Sequence, residues 1–157
     1  MDPDGSQARK TFLYWQIDSL LIGKKCIVAE QKIDSALKLN DRDIRLVDFK
    51  GQVLFCMGDA KESIAWFNKA MQIDGSKFPR ALGHRAEAYC YLKKFDSAIV
   101  DLKECAEINF DYTKDLGKVY EKVGQKDSAI KYYQIFLDNY PDSINVQKSL
   151  SRLKKSG

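Results

Sequence analysis

One helical pattern recurs along this chain at a nearly fixed interval, and that interval limits what the chain can become. Ser63, Ala98 and Ala129 are each followed by an isoleucine one position on (Ile64, Ile99, Ile130). A large residue follows four positions on (Phe67, Leu102, Tyr133) and a further core residue seven on (Ala70, Cys105, Phe136). Offsets of this kind trace one face of an α-helix. The small residues stand 35 and then 31 positions apart, and a fainter copy through Ala29, Ile33 and Ala36 begins 34 before Ser63. A period of this size means stacked supersecondary units, each burying its face against the next, and not a single closed core. Such stacks present extended surfaces suited to binding.

The bulk composition agrees with a folded helical chain. With 157 residues there is room for one domain or one continuous array. The hydrophobic share of 45% and charged share of 31% provide a core and argue against disorder. Only 3 prolines and 9 glycines interrupt the helical propensity. The net charge of +4 is spread among interspersed acids and bases, which is a solvated surface and not a nucleic-acid stripe. No stretch reaches the roughly 18 apolar residues of a membrane helix, so no membrane insertion is expected. The polar opening Met1 to Gln7 lacks the form of a signal peptide. A cytoplasmic protein is therefore expected, with an exported one whose targeting segment is absent from this sequence as the alternative. Cys26, Cys56, Cys90 and Cys105 show no metal-ligand spacing and are read as ordinary packing or surface thiols.

Each repeat reads as two antiparallel helices. In the second, a helix from Ile44 to Met57 ends at Gly58, whose left-handed conformation caps it, and Asp59 caps a helix from Ala60 to Gln72. In the third, Pro79 stands in the first turn of a helix to Leu92, and Lys93-Lys94 lead into Phe95 to Glu107. In the fourth, Tyr112 to Val123 and Lys126 to Asn139 flank Gly124-Gln125, and Pro141 stops the chain of helices. Leu116, Gly117, Tyr120, Ala129, Tyr133 and Pro141 in the fourth repeat carry a family pattern, echoed by Leu82, Ala86, Tyr89, Ala98, Leu102 and Cys105 in the third. The second supplies Val47, Gly51, Leu54, Ser63, Phe67 and Ala70, and the first a degenerate Leu13, Ile17, Leu20, Ala29, Ile33 and Ala36. On these residues the chain resembles the tetratricopeptide repeat (TPR) family over roughly residues 10 to 141.

The resemblance implies an all-α fold, a right-handed α-α superhelix (TPR solenoid) of about four helix-pair repeats plus a C-terminal capping helix. The repeats are drawn at about 10–43, 44–78, 79–110 and 111–141, after a flexible segment at 1–9 and before a capping helix and short tail at 142–157. Independently of the name, small residues at Gly51, Ala86, Ala98, Gly117 and Ala129 let helices approach closely, and Phe67, Tyr89, Tyr120 and Tyr133 fill the space beside them. The short step from Ala98 to Ala129 makes the first helix of the fourth repeat lose most of a turn and begin near Asp111 or Tyr112. After Pro141, Val146, Leu150 and Leu153 form the apolar stripe of the capping helix, with Asp142 or Ser143 as its N-cap.

Catalytic constellations are not read from this sequence. It has one histidine, His84, and shows no phosphate-cradling loop, nucleophile elbow or metalloprotease helix, so no enzyme activity, cofactor or metal is expected. The resemblance instead implies a concave groove lined by the first helix of each repeat. Its register yields Tyr14 and Asp18 from the first unit, and Arg45, Asp48, Phe49, Gln52 and Phe55 from the second. The third adds Arg80, His84, Glu87 and Tyr91, and the fourth Lys114, Lys118 and Lys122. Aromatic rings supply contact area at low entropic cost while charges set register, which suits a peptide or a partner-protein segment. The bland alternatives stand beside this: Phe49, Phe55 and Tyr91 as core, the three lysines as solvated, His84 as a surface histidine. Trp15 and Trp66 are read as packing residues, Trp66 on the outward side.

Members of the family that hold the C-terminal carboxylate of heat-shock chaperones place Lys and Asn at positions that correspond here to Asp48, Gln52, His84 and Asp115. Starting one repeat earlier puts Tyr14, Asp18 and Phe49 there. A carboxylate at Asp48 or Asp18 works against such a ligand. The expected function is a non-catalytic protein–protein interaction module or scaffold. The alternative is a self-assembling structural protein, a homo-oligomer formed through the apolar surface of Phe12, Leu13, Tyr14, Trp15 and Ile17.

Overall fold

A computed structural model describes residues 6–74 and 78–155 of the chain. Among the described residues the secondary structure is nine α-helices and no strand: α1 (Ser6–Ile22), α2 (Cys26–Leu37), α3 (Ile44–Cys56), α4 (Ala60–Asp74), α5 (Pro79–Tyr91), α6 (Phe95–Ile108), α7 (Tyr112–Lys122), α8 (Lys126–Asn139) and α9 (Ile144–Lys155). The helices fall into two compact units, Met1–His84 and Arg85–Gly157, with α5 crossing the division. Helix α1 begins at Ser6, inside the stretch expected to be flexible; residues 1–5 of that stretch lie outside the described residues, as do 156–157 of the tail.

The turns inside each helix pair share one backbone solution. Lys24 (φ 53°), Gly58 (φ 93°), Lys93 (φ 58°) and Gly124 (φ 76°) all adopt the left-handed region just past the first helix of a pair. Glycine enters that region without strain, while lysine does so at a cost. Asp59 then caps α4 by accepting the Glu62 backbone amide at 3.0 Å, and Asp43 caps α3 by accepting from Arg45 and Leu46 at 3.2 and 3.3 Å.

In the first unit α3 is the central element. It is buried on nearly every side, through Leu46, Val47, Asp48, Phe49, Lys50, Gly51, Val53 and Leu54. Tyr14 and Ile17 of α1 and Ala29 and Ile33 of α2 pack with it. Gly51 is required by packing: a Cβ there would lie 2.4 Å from the ring of Phe67, which is itself fully buried. Lys50 extends from α3 to Glu30 and Asp34 of α2 at 2.9 and 2.7 Å. Burial alone would lower its pKa, but these two carboxylates outweigh that and raise it. A disulfide between Cys26 and Cys56 joins the same two helices, with Cα atoms 6.2 Å apart. This corrects the reading of all four cysteines as thiols. Cys26 opens α2 and Cys56 ends α3, so antiparallel packing brings together residues that no sequence spacing pairs.

In the second unit the core gathers Ala98, Ile99 and Leu102 of α6, Leu116, Val119 and Tyr120 of α7, Ala129, Tyr133 and Phe136 of α8, and Val146 and Leu150 of α9. Gly117 repeats the solution at Gly51, since a Cβ there would stand 2.5 Å from the ring of Tyr133. The Tyr133 hydroxyl donates to Glu121 at 2.9 Å, and Arg152 of α9 pairs with the same carboxylate. Arg85 clasps the buried Asp101 with two hydrogen bonds, at 2.8 and 2.7 Å. Helix α7 has 11 residues against 13 in α3 and α5, so the shortened repeat loses about half a turn there and not most of one.

Candidate functional site in the first unit

Asp48 is the centre of the site. Its position on α3, one residue before Phe49 and three before Gly51, places it in the most tightly packed stretch of the unit, and its side chain is fully buried. A carboxylate cannot be stripped of water without compensation. Three neighbours provide it. Arg80 of α5 donates its Nε–H to Oδ2 at 2.8 Å, Gln52 Nε2 donates to Oδ2 at 2.9 Å, and His84 Nδ1 lies 3.1 Å from Oδ1. Because a carboxylate only accepts, this last contact puts a proton on Nδ1.

Arg80 is held from three directions. Its Nη2 donates to Asp18 of α1 at 3.2 Å, and its guanidinium carbon lies 4.8 Å from the centre of the Phe49 ring. Two carboxylates thus share one guanidinium, and α1, α3 and α5 are joined through it. The His84 ring tilts against that of Phe67 at 5.7 Å between centres, so the residue behind Gly51 also supports the histidine.

A second cluster adjoins the first on α1 and α3. The Tyr14 hydroxyl donates to Asp43 at 2.6 Å, its ring lies 6.0 Å from that of Phe49, and the Arg45 guanidinium covers it at 4.4 Å. Burial, followed by the bond to Asp43, pushes the Tyr14 phenol well above its usual range. Burial works to raise the Asp43 carboxyl, but hydrogen bonds from Tyr14, the Leu46 amide and Lys10 overcome it and hold the group below the ordinary carboxylate range.

The structure therefore brings together Tyr14, Asp18, Arg45, Asp48, Phe49, Gln52, Arg80 and His84. Of these Tyr14, Asp48 and Phe49 are buried, while Asp18, Arg45, Gln52, Arg80 and His84 keep part of their surface in solvent. Phe55 is half-buried elsewhere on α3. The remaining candidates lie in the second unit. Glu87 and Tyr91 are exposed on α5. On α7, Lys114 lies over the Phe136 ring at 5.3 Å, Lys118 pairs with Asp115 at 2.8 Å, and Lys122 is exposed. Asp43 and Lys10 were missed by the register reading. Asp43 is an acid directly before a helix, the standard N-cap signal, and that cue marks it. Trp15, read as a packing residue, is instead exposed and stacks on Phe12 at 5.8 Å; Trp66 is partly buried against the first unit's core. Among the described residues no group of His, Cys, Asp and Glu side chains is placed to hold a metal ion.

Comparison with known proteins turns on the repeat. One tetratricopeptide repeat profile matches residues 45–77 and 79–112, and another matches residues 115–143, together more than half of the chain. The chain belongs to the tetratricopeptide repeat family. Both profiles leave out the first helix pair of this TPR protein, the degenerate one. Heat shock protein STI1 of Saccharomyces cerevisiae is 29% identical over 92 residues, which is 57% of this chain but 16% of the yeast protein's length. A thermophilic TPR protein of Thermus thermophilus shares the fold with a TM-score of 0.79 at 15% identity, over 90% of this chain and 79% of its own. The first TPR of Spaghetti (RPAP3), solved bound to the HSP90 peptide SRMEEVD, aligns with a TM-score of 0.65 at 24% identity, over 72% of this chain and 91% of its own. One of these structural neighbours was thus solved with a peptide bound.

Proposed function

We propose that this TPR chain is a non-catalytic interaction module that binds a peptide or partner-protein segment along the α1–α3–α5 face of its first unit. One observation carries the reading: a fully buried carboxylate, Asp48, pins Gln52, Arg80 and His84, and through Arg80 also Asp18, so partly exposed polar side chains from three helices are fixed before any ligand arrives. Pre-organised side chains lose little entropy on binding. Phe49 and Tyr14, beneath Arg80 and Arg45, supply the rigid floor. In this reading His84 is a positioned hydrogen-bonding group and not a base.

The charge arrangement also selects the ligand. Arg80 faces Asp18 and Asp48 at once and has no uncompensated charge to offer a carboxylate. A neutral or basic segment is therefore the proposed occupant, and an acidic chaperone tail such as the peptide bound by RPAP3 is not. The Cys26–Cys56 disulfide favours an oxidising compartment over the cytoplasm as the site of action, since such bonds persist there.

The test is a capture experiment with the intact chain beside a Gln52→Ala/His84→Ala variant whose helical circular dichroism is unchanged. A partner held by the first and released by the second supports the reading. Equal retention moves the site off this face. In parallel, fluorescence polarisation with labelled SRMEEVD should show no saturable binding, and micromolar or tighter binding would overturn the charge argument.

A further inference from the structure

We propose that two copies of this chain pair through the end face of the α1–α2 helix pair. The observation is a concentration of exposed apolar side chains that the fold of the first unit does not use. Phe12 and Trp15, stacked on each other along α1, are 58% and 64% exposed. A shallow groove between α1 and α2 is lined by Leu13, Val28, Ala36 and Leu39, of which Leu39 is 90% exposed. Lys32 on the rim of that groove donates to Gln16 at 3.1 Å, and Gln16 lies one helical turn after Phe12 on α1, which links the stacked pair to the groove.

Area identifies the occupant. Phe12, Trp15, Val28 and Leu39 together leave on the order of 500 Å² exposed, near the upper limit for the largest apolar patch of a monomer. With the polar rim of Gln31, Lys32 and Ser35, the face approaches the roughly 800 Å² per partner of a stable interface. The pairing is between like faces. A face that pairs with its own copy makes a two-fold contact that closes on itself, so assembly stops at two chains.

Sedimentation of the purified protein from micromolar to submillimolar concentration tests this, with Trp15→Glu and Leu39→Glu run alongside. Both residues are exposed, so both variants should keep the parent's helical circular dichroism and melting curve. The parent should pass from the 18.0 kDa of one chain to twice that mass. Each variant should raise the dissociation constant at least about tenfold, because it buries an unpaired carboxylate at the contact. A parent that stays at one chain mass throughout overturns the proposal. So do variants that pair as the parent does, or species that grow beyond two chains. Capture of a partner by the α1–α3–α5 face is a separate property, and the Trp15→Glu and Leu39→Glu variants should retain it.

Discussion

At the scale of single residues, the two tightest points in this protein are glycines. An exposed helical glycine replaced by alanine gains about 1 kcal/mol, because the backbone loses less entropy on folding. At Gly51 the sign reverses, since the new Cβ would stand 2.4 Å from a buried ring whose neighbours leave it nowhere to go. Overpacking of this kind costs about 1–3 kcal/mol, so Gly51→Ala should lower stability by up to about 2 kcal/mol net. Gly51→Ala/Phe67→Leu should recover part of that loss in urea denaturation. Recovery of nothing would mean the ring is not the obstacle. Asp43 makes a pH-dependent contribution. Its folded-state pKa lies below the ordinary value of 3.8, so the stability it confers is present above that value and is lost as pH falls through the lower, folded pKa. Asp43→Asn should therefore be less stable than the parent near pH 7. The gap should close as urea unfolding is repeated at progressively lower pH beneath the ordinary carboxylate range. A gap that is constant with pH would show that the carboxylate's charge is not what Asp43 contributes.

Helices were legible in the sequence because their signals are local. The small–isoleucine–large spacing, Gly58 and Gly124 past the ends of α3 and α7, and Pro79 at the start of α5 all act within a turn or two of where they stand. Lys24 and Lys93 adopt the same left-handed conformation without being glycines; at Lys93-Lys94 the repeat register alone pointed to a turn, and the turn at Lys24 was not read. Contacts between helices were not legible, because they depend on crossing geometry. The clasp of Arg85 on Asp101, the bridging of Lys50 to Glu30 and Asp34, and the disulfide of Cys26 with Cys56 join positions with no mutual spacing rule. The disulfide closes a loop with a sequence separation of 30 between α2 and α3. Constraint of the unfolded chain by such a loop is worth about 3.6 kcal/mol in the chain-entropy picture. Reduction, or Cys26→Ser/Cys56→Ser, should lower the melting temperature by several degrees, and the parent should show a free-thiol count that rises by two under reductant. An unchanged count would remove the bond from the account.

At the scale of the whole molecule, the period alone places the chain among repeat proteins, and the family profiles agree for three of its helix pairs. The candidate site was only partly accessible by the same route. Register identified the helices α1, α3 and α5 and the residues on them, but it could not distinguish a side chain facing solvent from one serving as the buried anchor for its neighbours. Asp48 is the clearest case: in the sequence it is an acid on a surface, and in the fold it holds that surface in shape. The central claim, that this face of the first unit receives the partner, is tested most directly by site-specific photo-cross-linking. A benzophenone amino acid at Gln52, on the proposed face, should trap the partner in high yield. The same group at Ala65, exposed on α4, should trap little. Adducts at Ala65 equal to or exceeding those at Gln52 would contradict the claim.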